Sequence, residues 1–377
     1  MHVLVLGAGQ LARMMALHSA PLGIEIRAYD IRSHKVVHPL TWHDYGDDLA
    51  TGLDKADVVT AEFEHIPTDI LNAADASGKF LPGAEAIRVG GDRRKEKQLL
   101  DKVGVANAPH KVIDTKQDLH DAIRQIGLPL ILKSALDGYD GKGQWRLKST
   151  DQVDNLWSEL AEFLTTNRDD QAIIAEAWIP FDREVSIIGV RDQKGNSQCY
   201  SLTENHHHDG ILILSVAPAG NQHLQSLAQA AFEKIAEELN YVGVLAIEFF
   251  VVGDELLVNE LAPRVHNSGH WTQQGCMTSQ FENHIRAVTG LPIQDVETRH
   301  PSAMINMIGL DRIPDLALHN KHVHPHWYDK AMRPGRKMGH INLVGSELNE
   351  LLQQFSEQLP ETDFPGLHSA VKACSKY

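Results

Sequence analysis

Cysteine is scarce in this chain. Cys199, Cys276 and Cys374 are odd in number, far apart and in no CxxC pair, which argues against a disulfide framework or a thiolate zinc site and for a reducing compartment. Long apolar runs are missing too. No stretch approaches a membrane span, and the apolar start from Met1 to Gly7 is too short, and lacks the basic flank, for a signal peptide. We expect a soluble cytoplasmic protein. Positive charge is also short: the formal net charge of −15 disfavours nucleic acid and anionic membrane as partners, because phosphate backbones need a basic footprint. An anionic substrate then needs a local basic cluster.

What is present is chain enough, 377 residues, for two or three domains with a core each. Val3 to Leu6 reads as a short buried strand, Gly7-Ala8-Gly9 as a turn, Leu11 to Leu22 as a helix and Ile24 to Tyr29 as a second strand, together a β-α-β unit. Further strands are expected at Asp57 to Ala61 and at Phe80 to Pro82, closing an α/β domain over residues 1–91. Residues 92–297 follow an α+β pattern, with strands at Leu128 to Lys133, Ala172 to Ala177, Glu184 to Val190 and Val244 to Val252 and a helix at Leu224 to Leu239. Residues 298–377 hold short apolar strands and a closing helix near Leu348 to Gln358, too little for an independent enzyme.

Gly7-Ala8-Gly9-Gln10-Leu11-Ala12 fits the G-x-G-x-x-G/A fingerprint, and Asp30 ends the second strand where a ribose-binding acid belongs. Physically this is a tight turn that offers backbone N–H groups and a helix N-terminus to an anion. A dinucleotide, a ribose phosphate or simple packing would each use it.

Lys133 ends a strand, and Asp137-Gly138-Tyr139-Asp140-Gly141-Lys142-Gly143-Gln144 follows. Glycine lets backbone amides approach phosphates while Lys133 and Lys142 supply charge, so a mobile flap over a nucleoside triphosphate fits. A hairpin turn is the alternative, and Gly143 stands where Walker A requires Ser or Thr.

Glu248 lies in the apolar strand Val244 to Phe250, Glu260 ends the next, and Gly253-Asp254 marks the turn between them. Two antiparallel strands can set these carboxylates side by side, where a cation would offset their burial. Magnesium takes one or two carboxylates plus substrate phosphates. Each glutamate could otherwise face solvent, but Asn259 to Trp271 crowds cation, imidazole and amides into the turn that follows.

In this order, after a β-α-β domain, Lys133, the glycine loop, Glu184, Glu248 and Asn259-Glu260 resemble the ATP-grasp superfamily of ligases over nearly the whole chain. Within it, Gly9-Gln10-Leu11, Gly138-Tyr139-Asp140-Gly141, the run Asn259 to His270 and Pro334-Gly335-Arg336-Lys337 resemble the 5-(carboxyamino)imidazole ribonucleotide synthase family of purine biosynthesis. The resemblance implies an ATP-grasp fold with a Rossmann-like pre-ATP-grasp domain and a small C-terminal domain, in a homodimer that uses ATP and magnesium. It implies that ATP phosphorylates bicarbonate and that the carboxyphosphate passes its carboxyl to the exocyclic amine of 5-aminoimidazole ribonucleotide. By position it puts Arg93, Lys133, the flap residues Gly138, Tyr139, Asp140, Gly141, Lys142, Gly143 and Gln144, then Glu176, Ala177, Trp178, Ile179, Glu184, His207, Asn259 and Glu260 around ATP. Glu248 and Glu260 would hold magnesium, and Arg264, His266 and Asn267 would surround bicarbonate as the catalytic set. Gln10, Leu11, Glu62, Tyr139 and Asp140 would touch the ribonucleotide, whose phosphate would meet Lys330 and Arg336. With Arg333 and Lys337 these last two supply the basic cluster an acidic protein needs. One departure is Asp137, where the family often carries a second glycine.

The remaining features read blandly. Arg94, Lys95 and Lys97 fit a solvated helix face, and Glu62 and Glu64 a solvated pair at a strand end. His322, His324 and His326 alternate while His206, His207 and His208 are consecutive, yet neither set has an HExxH motif or a cysteine partner, so hydrogen bonding is expected before a transition metal. Three rival functions remain: a formate-dependent formyltransferase of the same superfamily acting on glycinamide ribonucleotide, an NAD oxidoreductase, and a histidine-based metal module. The Arg264 to His270 run favours bicarbonate over the first, and the second leaves the paired acids and the glycine loop unexplained.

Overall fold

The computed structural model describes residues 1–136, 143–166 and 170–374. Among them the strands form three sheets. The first holds β1 (His2–Leu6), β2 (Glu25–Asp30), β3 (Lys35–Val37) and β4 (Val58–Ala61) in the order β3-β2-β1-β4. β1 lies parallel between β2 and β4, and burial on both faces is why it reads as an unbroken apolar run. The helix after the glycine turn spans Gln10–Ser19 and ends in a 3-10 turn at Ala20–Leu22, short of the expected Leu22, because Pro21 has no N–H to continue the helical ladder. The strand expected at Phe80 to Pro82 does not form. Phe80 makes an isolated bridge to Val59, and Pro82 cannot donate to a ladder.

The second sheet is antiparallel: β5 (His110–Ile113), β6 (Leu130–Ser134), β7 (Gln144–Leu147) and β8 (Ile173–Ala177), in the order β5-β8-β6-β7. Helices Lys116–Ile126 and Val153–Thr166 back it, the first started by a Thr115/Asp118 capping box. β6 and β7 bracket the glycine loop, and the expectations placed on Gly138, Tyr139, Asp140, Gly141 and Lys142 lie outside the described residues.

The third sheet contains β9 (Arg183–Arg191), β10 (Ser197–Cys199), β11 (Thr203–His208), β12 (Ile211–Ala217), β13 (Gly243–Val252), β14 (Glu255–Ala262), β15 (Ser302–Ile308), β16 (Val323–Trp327) and β17 (Lys337–Val344). Its order is β14-β13-β9-β11-β12-β15-β17-β16, with β10 paired to β9. Strands after residue 298 thus continue the sheet that carries the paired acids. Alternation splits the apolar side chains between two faces. Val185, Ile187, Leu245 and Ile247 pack under helix Gln222–Glu238 through Phe232 and Ile235. Ile188, Val190, Val244 and Ala246 pack with Phe281 and Ile285 of helix Gln280–Val288 and with Met14 and Met15 of the N-terminal helix. Each such buried side chain contributes about 1.5–3 kcal/mol, and the second face ties the first sheet to the third.

Candidate active site

The β13–β14 register sets Glu248 directly opposite Glu260, which puts the two side chains on one face. Burial first, then the neighbouring carboxylates of Glu260 and Glu184, push the Glu248 pKa up to about 7, although His207 pulls the other way. Glu260 meets Arg93 Nη2 at 3.3 Å. Glu184, on β9, lies 3.4 Å from His207 Nδ1 on β11, and ligand atoms of Glu184, His207 and Glu248 lie within 4.8 Å of one another. Partly buried carboxylates that repel each other fit an oxygen-seeking divalent cation.

A second group faces this one from the small sheet. Lys133 Nζ sits 2.7 Å from Glu176 Oε2 and donates to Asn259 Oδ1 at 3.4 Å. Lys97 Nζ lies 3.1 Å from the other Glu176 oxygen. Lys97 is 1% exposed, so its expected place on a solvated face is wrong. Helix Arg93–Val103, N-capped by Asp92, turns Arg93, Glu96, Lys97 and Leu100 inward on one stripe. Arg94 pairs with Asp92 and Lys95 with Glu85, both partly exposed. The spacing from Arg93 to Lys97 was the available signal. Burial alone would raise the Glu176 pKa, but Lys133, Lys97 and Arg93 hold it well below the usual carboxylate range.

The remaining residues expected at the nucleotide lie along these edges. The Gly143 carbonyl accepts from Ser134 N–H at 2.8 Å, and Gln144 pairs with Lys133 in register. Ala177 ends β8, and Trp178 donates its N–H to Pro129 O at 3.1 Å beneath the Arg146 guanidinium. The Ile179 carbonyl accepts from Phe181 N–H at 3.0 Å.

Beyond β14, Arg264 and Glu64 form a bidentate pair, Nε to Oε2 at 2.5 Å and Nη2 to Oε1 at 3.0 Å. Glu64 is therefore not solvated, and like Lys97 it is a residue whose place sequence reasoning missed. Its side chain is about as buried as that of Arg264. His266 is locked by Gln280, which accepts from its N–H at 2.9 Å and donates to its carbonyl at 2.6 Å. His266 Nε2 lies 3.6 Å from Glu248 Oε1. Burial, with the Arg264 charge beside it, holds the imidazole neutral, its pKa well below the ordinary value. Both polar atoms of the Asn267 side chain are buried without a hydrogen-bond partner among the described residues, a donor and an acceptor left for a ligand.

The glycine turn has a different occupant from the one its fingerprint suggests. Glu62 accepts from Gly9 N–H through Oε1 and from Ala12 N–H at 2.9 Å through Oε2. A Cβ at Gly9 would lie 2.7 Å from Glu62 Oε1, so glycine is required by this carboxylate. The amides that would bind a pyrophosphate are taken, and Asp30 closes its own turn onto Arg32 N–H and Ser33 Oγ. The dinucleotide reading does not survive. Leu11 is buried, while Gln10 Oε1 accepts from Lys330 Nζ, 320 residues away in sequence. Burial, then Arg336, lowers the Lys330 pKa to about 8. Arg336 donates to Ala331 O at 2.8 Å and feels the charges of Arg333 and Arg32. Arg32 adds a cation from the N-terminal domain that the sequence did not single out.

The histidine sets separate. His326 Nε2 bonds Gln274 Oε1 at 3.1 Å and His322 Nδ1 lies 3.2 Å from Val344 O, which is the hydrogen-bonding role expected, and His326 also stacks on His340, ring centroids 4.4 Å apart. His206 departs from expectation, because Cys374 Sγ lies 3.3 Å from its Nε2.

Lys133 on a small antiparallel sheet and Lys97 on the helix beside it, facing paired acids on a large sheet behind a parallel α/β unit, define an ATP-grasp protein. The ATP-grasp domain family matches residues 98–281, the ribonucleotide synthetase preATP-grasp domain residues 1–90, and the phosphoribosylaminoimidazole carboxylase C-terminal domain residues 302–354. The N5-carboxyaminoimidazole ribonucleotide synthase of Vibrio vulnificus is 54% identical over 375 residues, 99% of each chain. The crystal structure of the Thermus thermophilus N5-carboxyaminoimidazole ribonucleotide synthetase superposes with a TM-score of 0.85 at 38% identity, covering 96% of this chain and 98% of that one. The Aspergillus clavatus N5-carboxyaminoimidazole synthase, solved with ADP and 5-aminoimidazole ribonucleotide, gives 0.78 at 30% identity and 99% of each chain. The chain belongs to the N5-carboxyaminoimidazole ribonucleotide synthase family of ATP-grasp ligases.

Proposed function

We propose that this enzyme uses ATP to carboxylate 5-aminoimidazole ribonucleotide with bicarbonate, releasing ADP and phosphate. The observation that carries the reading is the meeting of Arg264, His266 and the unpartnered Asn267 amide beside the Glu248–Glu260 pair. In this reading Arg93, Lys133, Gly143, Gln144, Glu176, the 177–179 backbone, Glu184, His207 and Asn259 line the ATP site together with the 138–142 flap. Lys133, held between Glu176 and Asn259, presents its charge to the phosphates.

Glu248 and Glu260 would hold magnesium, which neutralises charge on the transferred phosphoryl group. Arg264, its Nε–Nη2 edge held by Glu64, presents its other Nη1–Nη2 edge to a planar oxyanion and stabilises charge that develops on it. His266 is neutral and its Nδ1 accepts from Ser268 N–H, so its proton sits at Nε2, placed to donate to an oxyanion. Gln10, Leu11, Glu62, Tyr139 and Asp140 contact the ribonucleotide, and Lys330 and Arg336 take its phosphate. The reading has domains at 1–91, 92–297 and 298–377, and a cytoplasmic homodimer that sedimentation velocity would test. Among the described residues no helix is long and apolar enough to cross a membrane.

The deciding experiment is an ADP-release assay. Turnover requires magnesium, bicarbonate and 5-aminoimidazole ribonucleotide together. ADP release that is unchanged after rigorous removal of bicarbonate would sink the carboxylation.

A further inference from the structure

Away from the paired acids, strand β11 and the C-terminal helix Leu367–Ala373 bring together a carboxylate, an imidazole and a thiol. Glu204 is 1% exposed. Its Oε1 lies 2.9 Å from His206 Nε2, and its Oε2 accepts from Arg183 Nη1 at 3.0 Å. Cys374, the residue that ends the C-terminal helix, puts Sγ 3.3 Å from the same His206 nitrogen. All three candidate donor atoms lie within 4.8 Å of one another.

Around a tetrahedral zinc ion, bonds of about 2.0–2.3 Å set imidazole, carboxylate and thiolate donors roughly 3.3–3.6 Å apart. The two measured separations from His206 fall within a few tenths of an ångström of that spacing. The donor set is equally informative. Magnesium takes oxygen ligands and keeps its water, whereas a thiolate with an imidazole selects zinc and its neighbours. Arg183 holds the second Glu204 oxygen and so aims the first, the kind of outer contact that orients a metal ligand.

We propose that Glu204 Oε1, His206 Nε2 and Cys374 Sγ form a three-ligand site for a zinc-class divalent cation, with a fourth position open to water. Binding forms the metal–sulfur bond and releases the Cys374 thiol proton to solvent. The cation pins the C-terminal helix to β11, whose next residue, His207, faces Glu184 in the nucleotide region. The scarcity of cysteine hid this site, because its ligands come from positions 204, 206 and 374.

The test is a cobalt titration of the full chain, stripped with a chelator and free of ATP. One equivalent is expected to give a thiolate-to-cobalt charge-transfer band and the visible absorption of a tetrahedral centre, both removed by zinc and left in place by excess magnesium. Cys374→Ser and His206→Ala each lose the thiolate band, and Cys374→Ser retains basal ADP formation. Absence of the band in the wild-type chain overturns the proposal whatever the variants do. So does a band that persists in Cys374→Ser, since it would then belong to Cys199 or Cys276.

Discussion

Arg264 and Glu64, 200 residues apart in sequence, meet as fork and carboxylate, with Nε to Oε2 at 2.5 Å and Nη2 to Oε1 at 3.0 Å. Burial would raise the Glu64 pKa, but Arg264 brings it below the ordinary value, so the pair stays ionised. Removing one member leaves a buried charge. Glu64→Ala is expected to destabilise the protein by about 3–5 kcal/mol, read by urea unfolding. Glu64→Gln keeps the volume, and its misaligned guanidinium is expected to lower kcat about 100-fold with little change in KM for ATP. Wild-type turnover in Glu64→Gln would show that Arg264 needs no such alignment.

Lys97 shares Glu176 with Lys133. In Lys97→Met, Glu176 keeps a single lysine partner and binds Lys133 more tightly, away from the nucleotide phosphates. KM for ATP is expected to rise about 10-fold, equivalent to roughly 1.4 kcal/mol. Lys95→Met, on the partly exposed side of the same helix, serves as the control and should leave KM alone. Equal effects from both would mean that helix charge as a whole, not this contact, is responsible.

Lys330 has a pKa lowered to about 8, so its ammonium is charged below that pH and lost above it. A phosphate monoester gains its second charge near pH ~6. The kcat/KM for 5-aminoimidazole ribonucleotide is therefore expected to be highest between these values and to fall through pH 8, while ATP shows no such limb. Lys330→Arg should move the alkaline limb beyond the accessible range. A limb unmoved by that substitution would assign it to another group.

His284 joins the N-terminal sheet to the central one, its Nε2 2.9 Å from Thr60 Oγ1 and its Nδ1 accepting from Val244 N–H at 3.0 Å. Burial lowers its pKa from 6.5 to about 4 and lowers His326 likewise, and burial holds His270 and His340 well below the ordinary imidazole value. Between pH 6.5 and 4 the unfolded chain binds protons at these sites that the folded chain refuses. Stability is therefore present above pH 6.5 and is lost as pH falls, by about 1.4 kcal/mol per pH unit for each such group. Glu96 and Glu248, both raised to about 7, act in the opposite sense and offset part of the loss. Urea unfolding at pH 7 and pH 5.5 should show lower stability at the acid value; equal or greater stability there would mean the carboxylates dominate.

Much of the site was legible in the sequence because it rests on local rules. Alternation and a Gly253-Asp254 turn predict adjacent antiparallel strands that bring Glu248 and Glu260 near each other; the register at the turn alone points Glu248 at Asn259, and a bulge between Glu248 and Phe249 sets Glu260 opposite it instead. The β-α-β unit, the strand carrying Lys133 and the polar run after Asn259 followed in the same way, and their order carried the resemblance to the family. The periodicity of 93–103 also held the information that Lys97 points inward with Arg93, but a run of charges disguised it.

The tertiary structure alone decided which groups those elements meet. Glu62 fills the glycine turn from 53 residues away, and Cys374 reaches His206 across 168. The Arg264 partner comes from a strand end in another sheet. Backbone periodicity says which face a side chain takes, because that is set by neighbouring dihedral angles. Which face lies against it depends on how sheets and helices dock, and for this chain that choice gave the glycine fingerprint a carboxylate in place of a dinucleotide.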